Sequence, residues 1–311
     1  MIIKLSRARE ILRREGAGEL LKRGTQHYGC TLRQRLESRV TRLRGRYLFD
    51  HDWDLAIVLD GCRHDLAGEV TPGHPVGLGV PRAVYSVGSY SADWIERTFK
   101  NAPERVLAGT AYVSANPFTD RAPGDTLQHV DRVYRYGWDP ELGTVPPRPV
   151  TDRAIRLLRE GTANRYLVHY MQPHLPPLEP SIPDYGRWEP TEGLQGDVTG
   201  RSGVGWDLVQ SGADPEPIVR DYRDNLRPVL DDLRLLLDNV DASKVVITAD
   251  HGNYLGENGR WGHSPRHVHP AVRRVPWWET DASDERTYVP GSYDRTNDTL
   301  RGEQLEALGY R

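Results

Sequence analysis

Three polar signals in this sequence stand at the ends of apolar runs, where side chains can do chemistry at the edge of a core. The first is Asp250-His251-Gly252, directly after Val245-Val246-Ile247-Thr248-Ala249. That run is β-branched and bounded by polar residues, so it reads as a buried strand. In an open parallel sheet, ligands gather where strands reach their carboxyl ends. A carboxylate and a neutral imidazole held there suit a divalent cation, one through oxygen and the other through nitrogen. The alternative is a solvated strand-end turn. The second signal is Asp60, which closes Asp54-Leu55-Ala56-Ile57-Val58-Leu59 and precedes Gly61-Cys62-Arg63-His64-Asp65. Two strand-end carboxylates side by side repel and raise each other's pKa, a conflict that a bound cation removes.

The third signal is Ser91, in Gly88-Ser89-Tyr90-Ser91 between a strand, Ala83–Val87, and a helix, Ala92–Lys100. The spacing places Ser91 at the N-cap and Asp93 in the first turn, where the helix dipole favours it. Capping alone needs no chemistry. Beside a cation, however, a serine oxygen can ionise as a nucleophile, while backbone N–H groups hold the anion it attacks. Ser89 is the alternative hydroxyl at the same turn. His169 and His174 flank the end of a further strand, Arg165–His169, and are candidates to contact an anionic ligand. His263, His267 and His269 form a local cluster that suggests a site wall. Cys62 beside a strand end reads as packing in preference to a nucleophile.

These groups need a scaffold. Thr110–Ala115 is another strand, and Thr119 to Pro149, rich in Gly, Pro and Asp, reads as surface loop. Thr151–Glu160 is a helix. Leu178 to Pro215 has the length and composition of a lid or binding loop. Pro217 to Val240 reads as one long helix, with Tyr222, Leu226, Val229, Leu230, Leu233, Leu236, Leu237 and Val240 on one face. After Val275-Pro276-Trp277-Trp278 the chain turns polar, and Thr299–Leu308 closes it as a short helix. The alternation of strand and helix points to an α/β domain, three layers αβα around a mostly parallel central sheet.

At 311 residues, with 37% hydrophobic and 27% charged, the chain can bury one large core plus a small appendage. No run approaches the roughly 18 apolar residues of a membrane span and no apolar leader opens the chain, so a cytoplasmic location is the expectation. Cys30 and Cys62 are the only cysteines, which argues against a disulfide framework and a thiolate zinc site. Residues 1–46 hold 13 Lys/Arg against 4 Asp/Glu, a net +9, in a chain whose total is −3. Ile2–Leu21 and Thr31–Arg46 have helical periodicity, so this region is expected to be a basic helical appendage. Either its basic faces are simply solvated, or they dock peripherally on an anionic membrane surface. No nucleic-acid motif accompanies it, and no nucleic-acid partner is expected.

Leu59-Asp60-Gly61-Cys62-Arg63-His64-Asp65, then His169-Tyr170-Met171-Gln172-Pro173-His174-Leu175-Pro176, then Thr248-Ala249-Asp250-His251-Gly252 with Gly262-His263, together resemble the alkaline phosphatase/sulfatase superfamily, in sulfatase-like order. The Tyr222–Val240 helix and the closing Leu305–Tyr310 segment look like sulfatase-type chain ends. The resemblance implies an alkaline-phosphatase-like catalytic domain over 47–311, with residues 1–46 outside it. It also implies Asp60, Asp250 and His251 as ligands of one divalent metal ion, with Ser91 completing the shell as nucleophile. His174 and His263 would hold the non-bridging oxygens of an anionic ester substrate, with His169 just behind. Three departures matter. Sulfatases carry a Cys/Ser-x-Pro-x-Arg motif converted to formylglycine, and the residues after Ser91 lack both the Pro and the Arg. Gly61 follows Asp60 where sulfatases have a second aspartate, and the extra Asp-x3-His of two-metal phosphodiesterases is not evident. The ligand set is nearer the single-metal phosphoglycerol-transferase type, which implies Mn²⁺, Zn²⁺ or Mg²⁺ over Ca²⁺. The expected function is a metal-dependent hydrolase or transferase of a phosphate ester or diester. The alternatives are a sulfuric ester hydrolase and a catalytically silent member that binds a head group or glycan. The natural substrate and the oligomeric state are not set by the sequence.

Overall fold

The computed structural model describes residues 45–182 and 205–293. The helical readings of 1–44 and of Thr299–Leu308 lie outside them, as does 183–204 of the long loop. Among the described residues nine strands are formed: β1 Leu55–Leu59, β2 Arg82–Tyr85, β3 Thr110–Ser114, β4 His129–Arg132, β5 Arg165–Tyr170, β6 Ala242–Thr248, β7 Tyr254–Leu255, β8 Trp261–Gly262 and β9 Arg274–Ala282. Seven make one sheet in the order β2-β9-β6-β1-β5-β3-β4, and β7 and β8 form a separate hairpin. Pairing is parallel from β6 through β1, β5 and β3 to β4, and antiparallel where β9 joins β6 and β2.

The central strands are apolar throughout because both faces of the sheet are covered. Along β1, Leu55, Ile57 and Leu59 point into one core, whereas Ala56 and Val58 point into the other. The first core is covered by helices Pro147–Glu160, Pro215–Asp224 and Leu226–Leu237, and the second by helix Ser91–Lys100 with Leu48, Phe49 and Trp53. This is the three-layer αβα arrangement.

Register brings the strand ends together. Val58 pairs with Thr248 on one side and with His169 on the other, so β1, β6 and β5 run out at the same edge, with Asp60 level with Asp250.

Four expectations are corrected. The polar stretch after Trp278 belongs to β9. Pro276 within it, opposite Ala83, argues against a strand when read from sequence, and Glu279 and Asp281 alternate outward past the core. The Thr119–Pro149 stretch contains the edge strand β4, only four residues long. Its last residues start helix Pro147–Glu160, with Pro147 and Pro149 in the first turn, where their missing N–H groups cost nothing. The helix read as Pro217–Val240 is two, Pro215–Asp224 and Leu226–Leu237, divided at Asn225. Pro228 is the cause: in an unbroken helix it could not donate to residue 224, whereas after the break it falls in a first turn. Asn225 uses the junction to donate to the carbonyls of Pro173 at 3.3 Å and His174 at 3.1 Å, and its Oδ1 accepts from Leu178 N at 3.1 Å. The break therefore anchors the segment that carries His174. Part of the long loop is also ordered as a helix, Trp206–Gln210. Among the described residues, no helix is long and apolar enough to cross a membrane.

Candidate active site

Asp60, Asp250 and His251 are buried at the carboxyl edge of the sheet, and their ligand atoms lie within 4.8 Å of one another. The His251 Nε2 is 3.5 Å from Asp60 Oδ1 and 3.5 Å from Asp250 Oδ2. Ser91 joins them, its Oγ 3.2 Å from Asp60 Oδ2 and 3.4 Å from His251 Nε2. Gly88 makes this approach possible, since a Cβ there would lie 2.6 Å from the backbone of Trp94. The loop therefore packs directly on the helix that follows. Ser91 is the first helical residue, with Tyr90 at the cap position. The expected capping role is thus wrong, and its hydroxyl is turned to the carboxylates. Ser89 is fully buried, and its hydroxyl has no hydrogen-bond partner.

The carboxylates are oriented by their other oxygens. Asp250 Oδ1 accepts from the N–H of Gly61 at 2.9 Å and of His251 at 2.8 Å. Asp60 Oδ2 accepts from Asn116 Nδ2 at 2.6 Å, and Asn116 is itself held by Phe118 N on its Oδ1 at 2.8 Å. Asp60 Oδ1 and Asp250 Oδ2 are left buried with no hydrogen bond. Two orphaned carboxylate oxygens in a dry site are costly, and they face one imidazole nitrogen. A cation at that point would satisfy all three, so the donor set fits a single divalent metal ion. Gly61 has φ +66°, a conformation that a β-carbon disfavours, and a Cβ there would come within 3.0 Å of Asn253 Nδ2. The glycine in place of a second aspartate is therefore part of the turn that lets the backbone N–H reach Asp250.

Charge follows from this packing. Burial works against ionisation of Asp60, but His174 and His251 outweigh it and hold its pKa at about 2. Burial likewise works against a charged His251, yet Asp250 and Asp60 lift it to about 9. Burial lowers the pKa of His169, and burial together with the neighbouring His251 and His174 pushes His263 well below the usual range. Burial pushes the Cys62 thiol up, in keeping with packing.

The other histidines divide into two groups. The rings of His174 and His263 stand 5.4 Å apart, and His263 lies 4.2 Å from His251, centroid to centroid. His169 sits behind Asp250, its Nε2 3.8 Å from Oδ2 and its Nδ1 2.9 Å from the Tyr112 hydroxyl. His267 and His269, in contrast, pack against Tyr254, and His269 caps helix Pro270–Arg273 by accepting from Ala271 N at 3.1 Å. The local His density therefore overstates the site wall.

Sequence reasoning missed Asn116, Arg63, Tyr222 and Asn253. The Arg63 guanidinium spans Asp65, Glu257 at 2.7 Å and the Asn253 carbonyl at 2.9 Å, tying the β1 and β6 loops together. Asn116 had a usable signal, because it too follows the end of a buried strand.

No protein-family model and no curated protein matches the sequence. Solved structures do match. The integral membrane protein lipooligosaccharide phosphoethanolamine transferase A from Neisseria meningitidis gives a TM-score of 0.52 at 13% identity, over 90% of this chain and 59% of that one. This chain thus spans about three-fifths of that protein. The crystal structure of that transferase's soluble domain gives 0.49 at 14% identity, over 75% and 77% of the two chains. A 2-O GAG sulfatase gives 0.44 at 14%, over 74% and 65%. At these identities the likeness is one of fold: a mostly parallel sheet between helices, shared with that transferase.

Proposed function

We propose that this chain is a metal-dependent hydrolase or transferase of a phosphate ester or diester, with Ser91 as nucleophile. The observation that supports it is the convergence of Ser91 Oγ on two buried carboxylates and an imidazole, with one oxygen of each carboxylate unpartnered. Asp60, Asp250, His251 and Ser91 would hold the ion. When bound, it lowers the pKa of the serine hydroxyl and offsets the charge that develops on the ester oxygens. The imidazole donor suits Zn²⁺ or Mn²⁺ better than Ca²⁺, and Mg²⁺ stays in the set through the family resemblance.

The chain's own residues supply the rest. Asn116 and the Gly61 N–H fix the two carboxylates before substrate arrives. His174 and His263 form the wall beside His251 that faces the reacting groups. An unmodified serine favours phosphoryl over sulfuryl chemistry, since the residues after Ser91 lack the formylglycine signal. Turnover of aryl phosphate mono- and diesters and an aryl sulfate, across a metal series, tests the reading. Metal-dependent cleavage of a phosphate ester is expected, with the sulfate slower. The absence of metal-dependent turnover on every substrate would refute it.

The charge state of His251 adds a pH dependence. Below about pH 9 the metal-free imidazole is protonated, and the ion must displace that proton. Asp60, at about 2, is already ionised and releases none. Apparent metal affinity should therefore rise about tenfold per pH unit towards pH 9 and then level off. Calorimetry of Ser91→Ala, which keeps the other three donors and has no serine proton to lose, at pH 7 in two buffers of different ionisation heat should report about one proton released per ion; identical heats would contradict the assignment.

A further inference from the structure

Three imidazoles of the site share one hydrogen-bonding pattern. His251 Nδ1 lies 3.0 Å from Gly252 O, His174 Nδ1 lies 2.6 Å from Leu175 O, and His263 Nδ1 lies 2.7 Å from Asn253 Oδ1. The first two partners are backbone carbonyls, which accept only, so Nδ1 carries a hydrogen in each and Nε2 is the end turned away from them. The third partner is a side-chain amide, whose orientation must be settled before the same can be said.

The surroundings of Asn253 settle it. Its Nδ2 lies 3.1 Å from Gly61 O and 3.4 Å from the Tyr222 hydroxyl. Gly61 O accepts only, so the amide nitrogen has to face it. The Tyr222 hydroxyl already donates to that carbonyl, so it too offers Asn253 an acceptor. Oδ1 is thereby directed at His263, and the imidazole must answer with a donor. Asn253 is fully buried, which makes the reversed amide, with Oδ1 against Gly61 O, expensive.

We infer that Asn253 is a positioning residue that holds a proton on His263 Nδ1, so that in the neutral ring Nε2 is the bare, accepting end beside His251. The use of this nitrogen rests on the phosphoester reading above; the tautomer does not. In the neutral ring this Nε2 can only accept a hydrogen bond, so it pairs with the hydroxyl of an attacking water or acceptor alcohol and not with a non-bridging phosphoryl oxygen. That assigns His263 to the incoming group, in place of the oxygen-holding role that the family resemblance implies. It also makes His263 the one imidazole of the three whose tautomer is set by a replaceable side chain.

The test is a long-range proton–nitrogen correlation spectrum of the zinc-loaded full chain, labelled with nitrogen-15 at histidine and assigned with His263→Gln. The wild type is expected to show His263 protonated at Nδ1. Asn253→Leu removes the acceptor at similar size, and the ring should shift to Nε2–H, with kcat falling about 10²-fold. Asn253→Asp keeps an acceptor for Nδ1 and should retain the Nδ1–H signature; its second oxygen then faces Gly61 O, so the tautomer and not the rate is read from it. Tyr222→Phe, which loosens Gly61 O without touching the imidazole, should leave the tautomer unchanged. A wild-type His263 protonated at Nε2, or an Asn253→Leu protein still protonated at Nδ1, overturns the inference. Should the leucine variant not fold, the wild-type and aspartate spectra decide it. If turnover is absent altogether, the spectra still decide the tautomer, so the two readings fail separately.

Discussion

Ser91→Ala is expected to abolish turnover while keeping the metal ion. The loss should be on the order of 10⁴-fold or more, the scale seen when the attacking atom of a covalent mechanism is removed. The ion should remain because three donors, Asp60, Asp250 and His251, are untouched and their ligand atoms already lie within 4.8 Å of one another. The fold should tolerate the change, since the Ser91 hydroxyl plays no capping part in its helix and Tyr90 occupies the cap position. Ser89→Ala provides the comparison. Its hydroxyl makes no hydrogen bond, so the variant should stay within about threefold of wild type in kcat/KM, an effect below 1 kcal/mol. Parallel assays of the two variants with metal analysis separate a nucleophile from a structural serine; equal losses in both would remove Ser91 from its role.

Asp250→Ala should have the second largest effect, for a different reason. Asp250 supplies one oxygen to the candidate ion and uses the other to receive the N–H groups of Gly61 and His251. Its removal takes away a ligand and releases the turn that presents Asp60. If the ion supplies about 4 kcal/mol to the transition state, its loss costs about 10³-fold in rate. Stability offers a readout that does not depend on substrate. An ion at about 1,000 times its Kd stabilises the native state by about 4 kcal/mol, and so raises the melting temperature. Wild type should show that rise with added Mn²⁺ or Zn²⁺, and Asp250→Ala should not. A variant stabilised as much as wild type would place the ion elsewhere.

Much of this site can be read from the sequence because of how its strands are buried. β1, β3, β5 and β6 are covered on both faces and so stand out as apolar runs. Parallel pairing then sends their ends to one edge, which is why Asp60 and Asp250 meet across nearly two hundred residues. β9 and β4 were hidden for the opposite reason: Pro276 and outward polar residues interrupt the first, and the second is a short edge strand. The apolar helix face ending at Val240 is legible, but its continuity hides the break at Asn225 that Pro228 imposes.

The residues that tune the site were harder to see. A lone Asn in a loop carries no signal until the sheet order places its neighbours. Asn116 matters because β3 ends two strands from β1, and Asn253 because Gly61, Tyr222 and His263 surround it. Histidine density misled in the other direction, since His267 and His269 pack on Tyr254 and only His263 reaches the site.

The central claim is that Asp60, Ser91, Asp250 and His251 share one ion, and crystallography at the metal absorption edge tests it most directly. Crystals of the wild type grown with Mn²⁺ or Zn²⁺ should give a single strong anomalous peak within about 2.0–2.3 Å of one atom from each of those four side chains. A peak elsewhere, or none at saturating metal, would contradict it.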